Sequence, residues 1–268
     1  MAVLPDGTPC WADAMFADMA GAKAFYGDVL GWTFGESSSE YGNYTQAYSD
    51  GKAVAAIVPP MPGQPGEEVH SAWCLYLASS DAATTAEKIR GNGGEVMMGP
   101  MAVGEFGSMV IAKDPGGVVF GVWQAGTHEG FEKQGASGAY TWAEVITREP
   151  AAADGFFPAV FPYDVKRMDT GQVDYKIFHV RERPVLGRMK AGPDELPPQA
   201  PNYISVYFAV DDCDAAVAKV TERGGKLYYG PMDSPFGRFA AVGDPQGAAF
   251  GVIDLGTAVG DMPVMVAD

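Results

Sequence analysis

The segment DPGGVVFGVWQAGT at residues 114–127 returns in the second half of the chain as DPQGAAFGVIDLGT at residues 244–257. A second pair repeats in the same way, since GGEVMMGPM at 93–101 matches GGKLYYGPM at 224–232. Self-similarity over a separation of about 131 residues is the pattern of a duplicated structural unit. The sequence therefore predicts two homologous domains in one chain.

Each predicted domain divides again into two units with the element order βαβββ. In the first unit a strand over residues 9–17 precedes a helix over about 18–30, for which Asp18 is a suitable N-cap and Gly31 a suitable end. Three short β-prone segments follow, and residues 71–124 repeat the whole order. We therefore predict an α+β fold of two tandem domains and four units. The boundaries are placed as first domain 1–128, linker 129–136, second domain 137–256 and tail 257–268.

Composition and charge exclude several classes of protein. The chain of 268 residues has 18 basic and 34 acidic side chains, which gives a net charge of −16. Such a surface repels phosphate backbones and anionic lipids, so we expect neither nucleic acid nor a membrane as a partner. There is no apolar run of about 18 residues and no leader-like N-terminus, and we expect a cytoplasmic protein. The three cysteines lack the spacing of a disulfide framework or a zinc site.

A family resemblance rests on two motifs. Residues 18–31 read D-x-x-x-A-x-x-F-Y-x-x-x-L-G, and D-P-x-G at 114–117 precedes the last strand of its unit. Together they resemble the vicinal-oxygen-chelate superfamily, which includes glyoxalases, extradiol dioxygenases and bleomycin-binding proteins. The tandem acidic form resembles proteins labelled glyoxalase-like or hydroxylase. The resemblance implies that each pair of units forms an open, curled mixed sheet whose interior holds a small molecule.

The same resemblance implies where a metal would bind. Metal-dependent members place a His or Glu seven residues before the aspartate that starts each helix, and a Glu seven residues after the aspartate of D-P-x-G. In this chain those positions hold other residue types: Trp11, Cys74, Trp142, Ser205, Gly121 and Gly251. These side chains cannot supply two histidines and a glutamate. We therefore expect no metal and no other cofactor.

Strand periodicity predicts what lines the interior instead. Because residues two apart on a strand share a face, Trp11 brings Asp13 inward and Trp142 brings Glu144. An interior rich in aromatic rings suits a planar or hydrophobic ligand, and we expect Gly121 and Gly251 to widen it. The predicted ligand-binding residues of the two strand faces are Trp11, Cys74, Tyr76, Trp123, Trp142, Ser205 and Tyr207.

Two carboxylates are candidate catalytic groups. In an apolar pocket Asp13 or Glu144 would have a raised pKa and would serve as a general acid or base. The alternative is structural, with each carboxylate partly solvated or accepting hydrogen bonds that hold its strand in place.

A cluster of basic residues breaks the symmetry between the halves. Seven of the 18 basic side chains lie between positions 166 and 190: Lys166, Arg167, Lys176, Arg181, Arg183, Arg188 and Lys190. We place residues 175–183 in one extended run, which puts Arg181 on the same face as Tyr175 and makes it a candidate for binding an anionic group on a ligand. The alternative is an edge strand whose charges prevent aggregation.

Three functions therefore remain open from the sequence. The first is metal-free binding of a small apolar or aromatic metabolite. The second is a metal-independent enzyme (hydroxylase-like, isomerase or lyase) that uses Asp13 or Glu144. The third is an interaction protein with vestigial cavities. Because four units in one chain can pair internally, the expected assembly is a monomer or a homodimer.

Overall fold

The computed structural model describes residues 4–60, 71–169, 173–193 and 195–267 of the chain. Within these ranges each predicted unit contributes one α-helix. The four helices are α1 (Met19–Leu30), α2 (Ala82–Gly91), α3 (Pro150–Val160) and α4 (Cys213–Glu222). None of the helices in the described part of the chain is long and apolar enough to cross a membrane.

Three of the helices begin at an aspartate that accepts hydrogen bonds from the first turn. Asp18 accepts from the backbone of Gly21, and Asp81 and Asp212 cap α2 and α4 in the same way. These bonds satisfy amide groups that have no partner inside the helix. α1 ends at Gly31, whose φ of 70° is left-handed, so the predicted bounds of this helix are confirmed.

Eight strands form the first sheet, in the order β2-β3-β4-β1-β5-β8-β7-β6. In each unit the first strand pairs in parallel with the last, β1 with β4 and β5 with β8. The strands are β1 (Pro9–Met15), β2 (Thr33–Phe34), β3 (Thr45–Ser49), β4 (Lys52–Val58), β5 (Trp73–Ala78), β6 (Glu95–Val103), β7 (Gly107–Lys113) and β8 (Val119–Ala125).

Nine strands form the second sheet, in the order β14-β15-β16-β13-β9-β12-β11-β10-β17. Its first eight strands in chain order repeat the pattern of the first sheet, and β17 from the predicted tail is added at the β10 edge. The strands are β9 (Tyr140–Thr147), β10 (Asp164–Met168), β11 (Tyr175–Val180), β12 (Arg183–Lys190), β13 (Tyr203–Ala209), β14 (Lys226–Met232), β15 (Arg238–Gly243), β16 (Ala249–Asp254) and β17 (Met265–Ala267).

The two units of each sheet join through their first strands. β1 runs antiparallel to β5 with Trp11 opposite Tyr76, and β9 runs antiparallel to β13 with Trp142 opposite Tyr207. Both sheets are mixed, because they contain parallel and antiparallel pairs, and both are open, because the outermost strands do not pair with each other. The α+β prediction with four βαβββ units is confirmed.

Aromatic side chains of α1 and α3 contact the sheet of the other half. Tyr26 of α1 lies 5.5 Å from Phe250 of the second sheet, and Phe157 of α3 lies 5.5 Å from Phe120 of the first, measured between ring centroids. One continuous apolar core therefore contains residues from both halves. As a result, each sheet uses one face for this core, and its other face lies outside it.

The two halves differ at one polar contact in this core. The Tyr26 hydroxyl donates to Asp244 Oδ2 at 2.9 Å. Phe157 holds the matching position in the other half, and there Asp114 Oδ2 is buried without a hydrogen-bond partner among the described residues. A buried acceptor without a donor costs free energy. The unpaired oxygen is therefore a consequence of the tyrosine that α3 lacks.

We predict that Phe157→Tyr stabilises the protein, because the new hydroxyl would donate to Asp114 Oδ2 as Tyr26 does to Asp244. The expected gain in the free energy of unfolding is about 1 kcal/mol, measured by urea denaturation. Phe156→Tyr is the matched control, since it buries a hydroxyl at the adjacent position without that acceptor and should destabilise. A Phe157→Tyr variant no more stable than the wild type would contradict the proposed pairing.

Candidate functional site

Aromatic and carboxylate side chains cluster on the face of each sheet that lies opposite the helices, which we call the first and second open faces. Along β1, Ala12 and Ala14 belong to the core shared with the helices, whereas Trp11 belongs to a separate cluster with Tyr76 and Trp123. This alternation follows from the pleat of the strand. The structure thus brings these predicted residues to one face, as the sequence indicates.

On the first open face a chain of hydrogen bonds ends at Asp13. Trp11 Nε1 donates to the Tyr44 hydroxyl at 2.7 Å, and that hydroxyl donates to Asp13 Oδ2 at 3.0 Å. Tyr76 also hydrogen-bonds to the carboxylate. Burial raises the pKa of Asp13 to about 6, although the two tyrosines act in the opposite direction. The carboxyl group therefore changes its charge close to neutral pH.

The second open face repeats this arrangement around Glu144. Trp142 Nε1 donates to the Tyr175 hydroxyl at 3.0 Å, which donates to Glu144 Oε1 at 2.7 Å. The Tyr207 hydroxyl donates to Glu144 Oε2 at 3.1 Å. Burial raises the pKa of Glu144, while the hydrogen bonds from Tyr175, Tyr207 and Trp142 lower it. Each half thus places a carboxylate between two phenols and beside an indole.

Sequence reasoning did not identify Tyr44 and Tyr175. Each lies 31 residues after the carboxylate that it contacts. This equal spacing in the two halves is the signal that could have found them, because a duplicated contact keeps its separation along the chain.

The remaining predicted residues adjoin these clusters. Cys74 lies directly opposite Asp13 and Ser205 directly opposite Glu144 in the strand register. Burial, followed by the charge of Asp13, raises the pKa of the Cys74 thiol well above its usual value. Trp123 donates its Nε1 hydrogen to the carbonyl oxygen of His128 at 2.9 Å.

The expectation that glycines widen the interior is wrong. A Cβ atom on Gly121 would overlap the ring of Tyr76, and one on Gly251 would overlap the ring of Tyr207. The glycines on the last strands therefore make room for tyrosine rings that lie over them. The phenols fill this space and hold their hydroxyls against the carboxylates.

Comparison with known proteins identifies the family. The family model described as Glyoxalase/Bleomycin resistance protein/Dioxygenase superfamily matches residues 11–122. Over 253 residues the chain is 38% identical to CFP32 of Mycobacterium bovis, named as a glyoxylase, with 92% of this chain and 94% of that protein covered. The chain belongs to this superfamily. The resemblance predicted from the two sequence motifs is confirmed.

Other known proteins are similar to the chain in sequence or in fold. The chain is 36% identical over 262 residues to the anthracycline biosynthesis protein DnrV of Streptomyces peucetius, with 93% and 94% of the two chains covered. Among solved structures, 2,2',3-trihydroxybiphenyl 1,2-dioxygenase of Sphingomonas wittichii superposes with a TM-score of 0.64 at 13% identity, covering 96% of this chain and 93% of that one. The Mn(II)-bound glyoxalase of Novosphingobium aromaticivorans gives 0.61 at 15% identity, covering 95% and 86%. At these identities the structures demonstrate a shared fold.

The residues at the metal position of the superfamily do not fit a metal ion. The indole nitrogen of Trp11 is a donor already bonded to Tyr44, the Cys74 thiol is held in its protonated form by burial, and Gly121 has no side chain. Nowhere in the described ranges do three His, Cys, Asp or Glu side chains come together to hold a metal. The titratable groups that the two clusters do present are the carboxylates of Asp13 and Glu144 and the phenols beside them.

The prediction of a single extended run over residues 175–183 is wrong. β11 ends at Val180 and β12 begins at Arg183, with Arg181 and Glu182 in a left-handed turn at φ of 49° and 67°. Two residues of positive φ suit the tight turn of a β-hairpin. Arg181 is thus exposed at the hairpin turn, and its ligand-binding role stays a prediction.

The basic cluster is also partly internal. The Arg188 side chain is fully buried and donates to both carboxylate oxygens of Asp154 at 2.8 and 3.0 Å, and to Asp174 Oδ1 at 2.7 Å. Lys176 pairs with the same Asp154 at 3.1 Å. The charge of Arg188 is therefore neutralised on the helix side of the sheet. There its hydrogen bond to Asp174 holds the residue that precedes Tyr175.

We predict that Asp13 makes stability fall as pH rises. Its folded pKa of about 6 exceeds the ordinary 3.8, so the folded state keeps a proton that the unfolded chain releases between these values. The stabilisation is complete below pH 4 and lost above pH 6. Relative to the wild type, Asp13→Asn should gain about 2–3 kcal/mol between pH 4 and 7, measured by urea denaturation.

The control for this measurement is Asp261→Asn, at an exposed position, which should follow the wild type across the pH range. If Asp13→Asn kept the pH slope of the wild type, the carboxyl group would not carry the proton.

Proposed function

We propose that the protein binds a small planar aromatic molecule on its open faces without a metal ion. The observation that carries the proposal is the duplicated cluster of indole, two phenols and one carboxylate. Asp13 and Glu144 remain half-buried at these clusters, so a ligand that enters from the open face reaches them. Aromatic rings with few convergent polar groups are typical of sites for hydrophobic small molecules.

The polar group at each cluster defines the chemistry of the ligand. A carboxylate has about four acceptor positions, and at Glu144 three of them accept hydrogen bonds from Tyr175, Tyr207 and Trp142. The remaining position is available to a hydroxyl or amine on the ligand. The rings beside the carboxylate supply stacking or edge contacts, each worth about 0.5–1.5 kcal/mol beyond the buried area. We therefore propose a hydroxylated aromatic metabolite.

The relatives support this ligand class. The name of DnrV places that protein in anthracycline biosynthesis, and this chain matches it over nearly its whole length. A role in the metabolism of polycyclic aromatic compounds agrees with a site built from indoles and phenols. We also propose that the protein is cytoplasmic, that it is a monomer or a homodimer, and that it has no nucleic acid or membrane partner. The same proposal includes the division of the chain at linker 129–136.

We predict that 1,8-dihydroxyanthraquinone binds saturably. Binding is measured by the quenching of tryptophan fluorescence. Trp142→Ala should weaken binding about tenfold or more, because it removes a ring contact and buried apolar area. The affinity should not change with EDTA. Phe106→Leu, an exposed aromatic residue outside both clusters, is the control variant. Absence of saturable binding would overturn the proposal and favour an interaction role with vestigial cavities.

A second candidate is a metal-independent enzyme that uses Asp13 or Glu144 as acid and base. The observation that favours it is the pKa of Asp13, about 6, because a group that titrates near the working pH transfers protons efficiently. Proton abstraction from a carbon that is made acidic by a carbonyl group, directly or through a conjugated ring, is a reaction class that one carboxylate can perform without a cofactor.

Deuterium exchange separates these two candidates. With anthrone in D₂O under nitrogen, an enzyme would remove the C10 proton to Asp13 or Glu144 and return a deuteron, and mass spectrometry would detect the gain. We expect no acceleration over buffer if the protein only binds. Catalysis would be assigned to the carboxylates by the following result. The wild type accelerates exchange, and the Asp13→Asn, Glu144→Gln double variant does not, although it still binds anthraquinone.

A further inference from the structure

The repeat segments GGEVMMGPM and GGKLYYGPM differ at four positions, and at two of them methionine is exchanged for tyrosine. Met97 and Met98 in GGEVMMGPM become Tyr228 and Tyr229 in GGKLYYGPM. Both pairs lie on equivalent edge strands, β6 and β14. The tyrosines are among the most exposed large side chains of the second half, at 54% and 52%. An exposed patch of two adjacent aromatic rings is typical of a binding site.

These tyrosines continue the aromatic cluster of the second open face. The ring of Tyr229 lies 6.2 Å from that of Phe239, and Phe239 lies 6.4 Å from Tyr207, whose hydroxyl holds Glu144. Tyr228 lies over Gly243, where a side chain would collide with its ring. We call Tyr207, Tyr228, Tyr229 and Phe239 the aromatic shelf.

Tyr203 adds a further ring near the carboxylate. It lies on the same face of β13 as Ser205, which is opposite Glu144 in the strand register. Burial raises the pKa of Tyr203 to about 12, and the charges of Glu144 and Tyr228 add to this rise. A path of aromatic rings runs from Glu144 through Tyr207, Phe239 and Tyr229 to the edge strand β14.

The first open face has no such shelf. At the positions that match Phe239, Tyr228 and Tyr229 it carries Met109, Met97 and Met98.

The indole of the first face is also covered by the protein itself. His128 and Phe131 pack on Trp11 at ring-centroid distances of 4.4 and 5.5 Å. Trp11 is consequently only 3% exposed, whereas Trp142 is half-buried.

We infer that the second open face alone takes the ligand, and that the aromatic shelf selects a planar molecule of several fused rings. This inference rests on the proposed function and narrows it to one face and one shape. The ligand lies along the shelf with a hydroxyl or amine directed at Glu144, the one acidic group of the cluster. Tyr228, Tyr229 and Phe239 are then specificity-determining residues that a single-ring ligand would not reach.

The test exchanges the differing pair between the repeats. In Tyr228→Met with Tyr229→Met, the shelf receives the side chains that the chain itself tolerates at the equivalent strand. Calorimetric titration with 1,8-dihydroxyanthraquinone should give one site per chain in the wild type and an affinity about tenfold lower in this variant. Binding of phenol, a single ring, should change less than twofold. The matched control is Met97→Tyr with Met98→Tyr, which should leave the stoichiometry at one because His128 and Phe131 still cover Trp11.

The outcomes separate this inference from the proposed function. Two results would overturn the role of the shelf and leave the proposed binding function intact. One is two equal sites in the wild type, and the other is an unchanged anthraquinone affinity in the Tyr228→Met, Tyr229→Met variant. No anthraquinone binding to the wild type would overturn both. If sedimentation instead gave a wild-type dimer that this variant converts to monomer without a change in affinity, the exposed tyrosines would be a contact between copies of the chain, and the shelf would again be excluded.

Discussion

The antiparallel pairing of the first strands of each half is the constraint on which both sites depend. It places Trp11 opposite Tyr76 and Trp142 opposite Tyr207, so residues far apart in sequence meet at the centre of each sheet. A shift of one residue would turn every one of these side chains toward the helices. The shared core prevents such a shift, because the alternate residues of the same strands are buried in it.

Much of this arrangement can be read from the sequence, because its signals are local or repeated. The aspartate N-caps define helix starts within one turn, and strand alternation places Trp11 beside Asp13. The turn at Arg181 was missed because an arginine and a glutamate in left-handed conformation carry no glycine or asparagine signal. The contact of Tyr44 with Asp13 joins β1 to the residue that precedes β3, and no periodicity within one strand reveals it. The rings over Gly121 and Gly251 depend on side-chain direction, which spacing alone does not fix.

The duplicated halves have diverged mainly where the fold tolerates it. The hydrogen-bonded clusters around Asp13 and Glu144 are kept nearly unchanged, although one acid is shorter by a methylene group. The helix contacts, the outer strands and the segments that cover each face differ. Arg188 with Asp154 and Asp174 has no counterpart in the first half, where an isoleucine, Ile57, lies at the equivalent position. The two halves therefore share the hydrogen-bonded cluster on the open face and differ in the contacts that pack behind it.

The small C-terminal strand has a consequence for how the molecule behaves in a crowded solution. β17 pairs with β10 over Lys166, Arg167 and Met168, and so occupies backbone groups that would otherwise lie at an open sheet border. Unpaired borders are templates on which another chain can add as a strand. A border of three residues gives an incoming strand little to pair with. By pairing with β10, the tail therefore limits the addition of strands from other chains at this edge of the sheet.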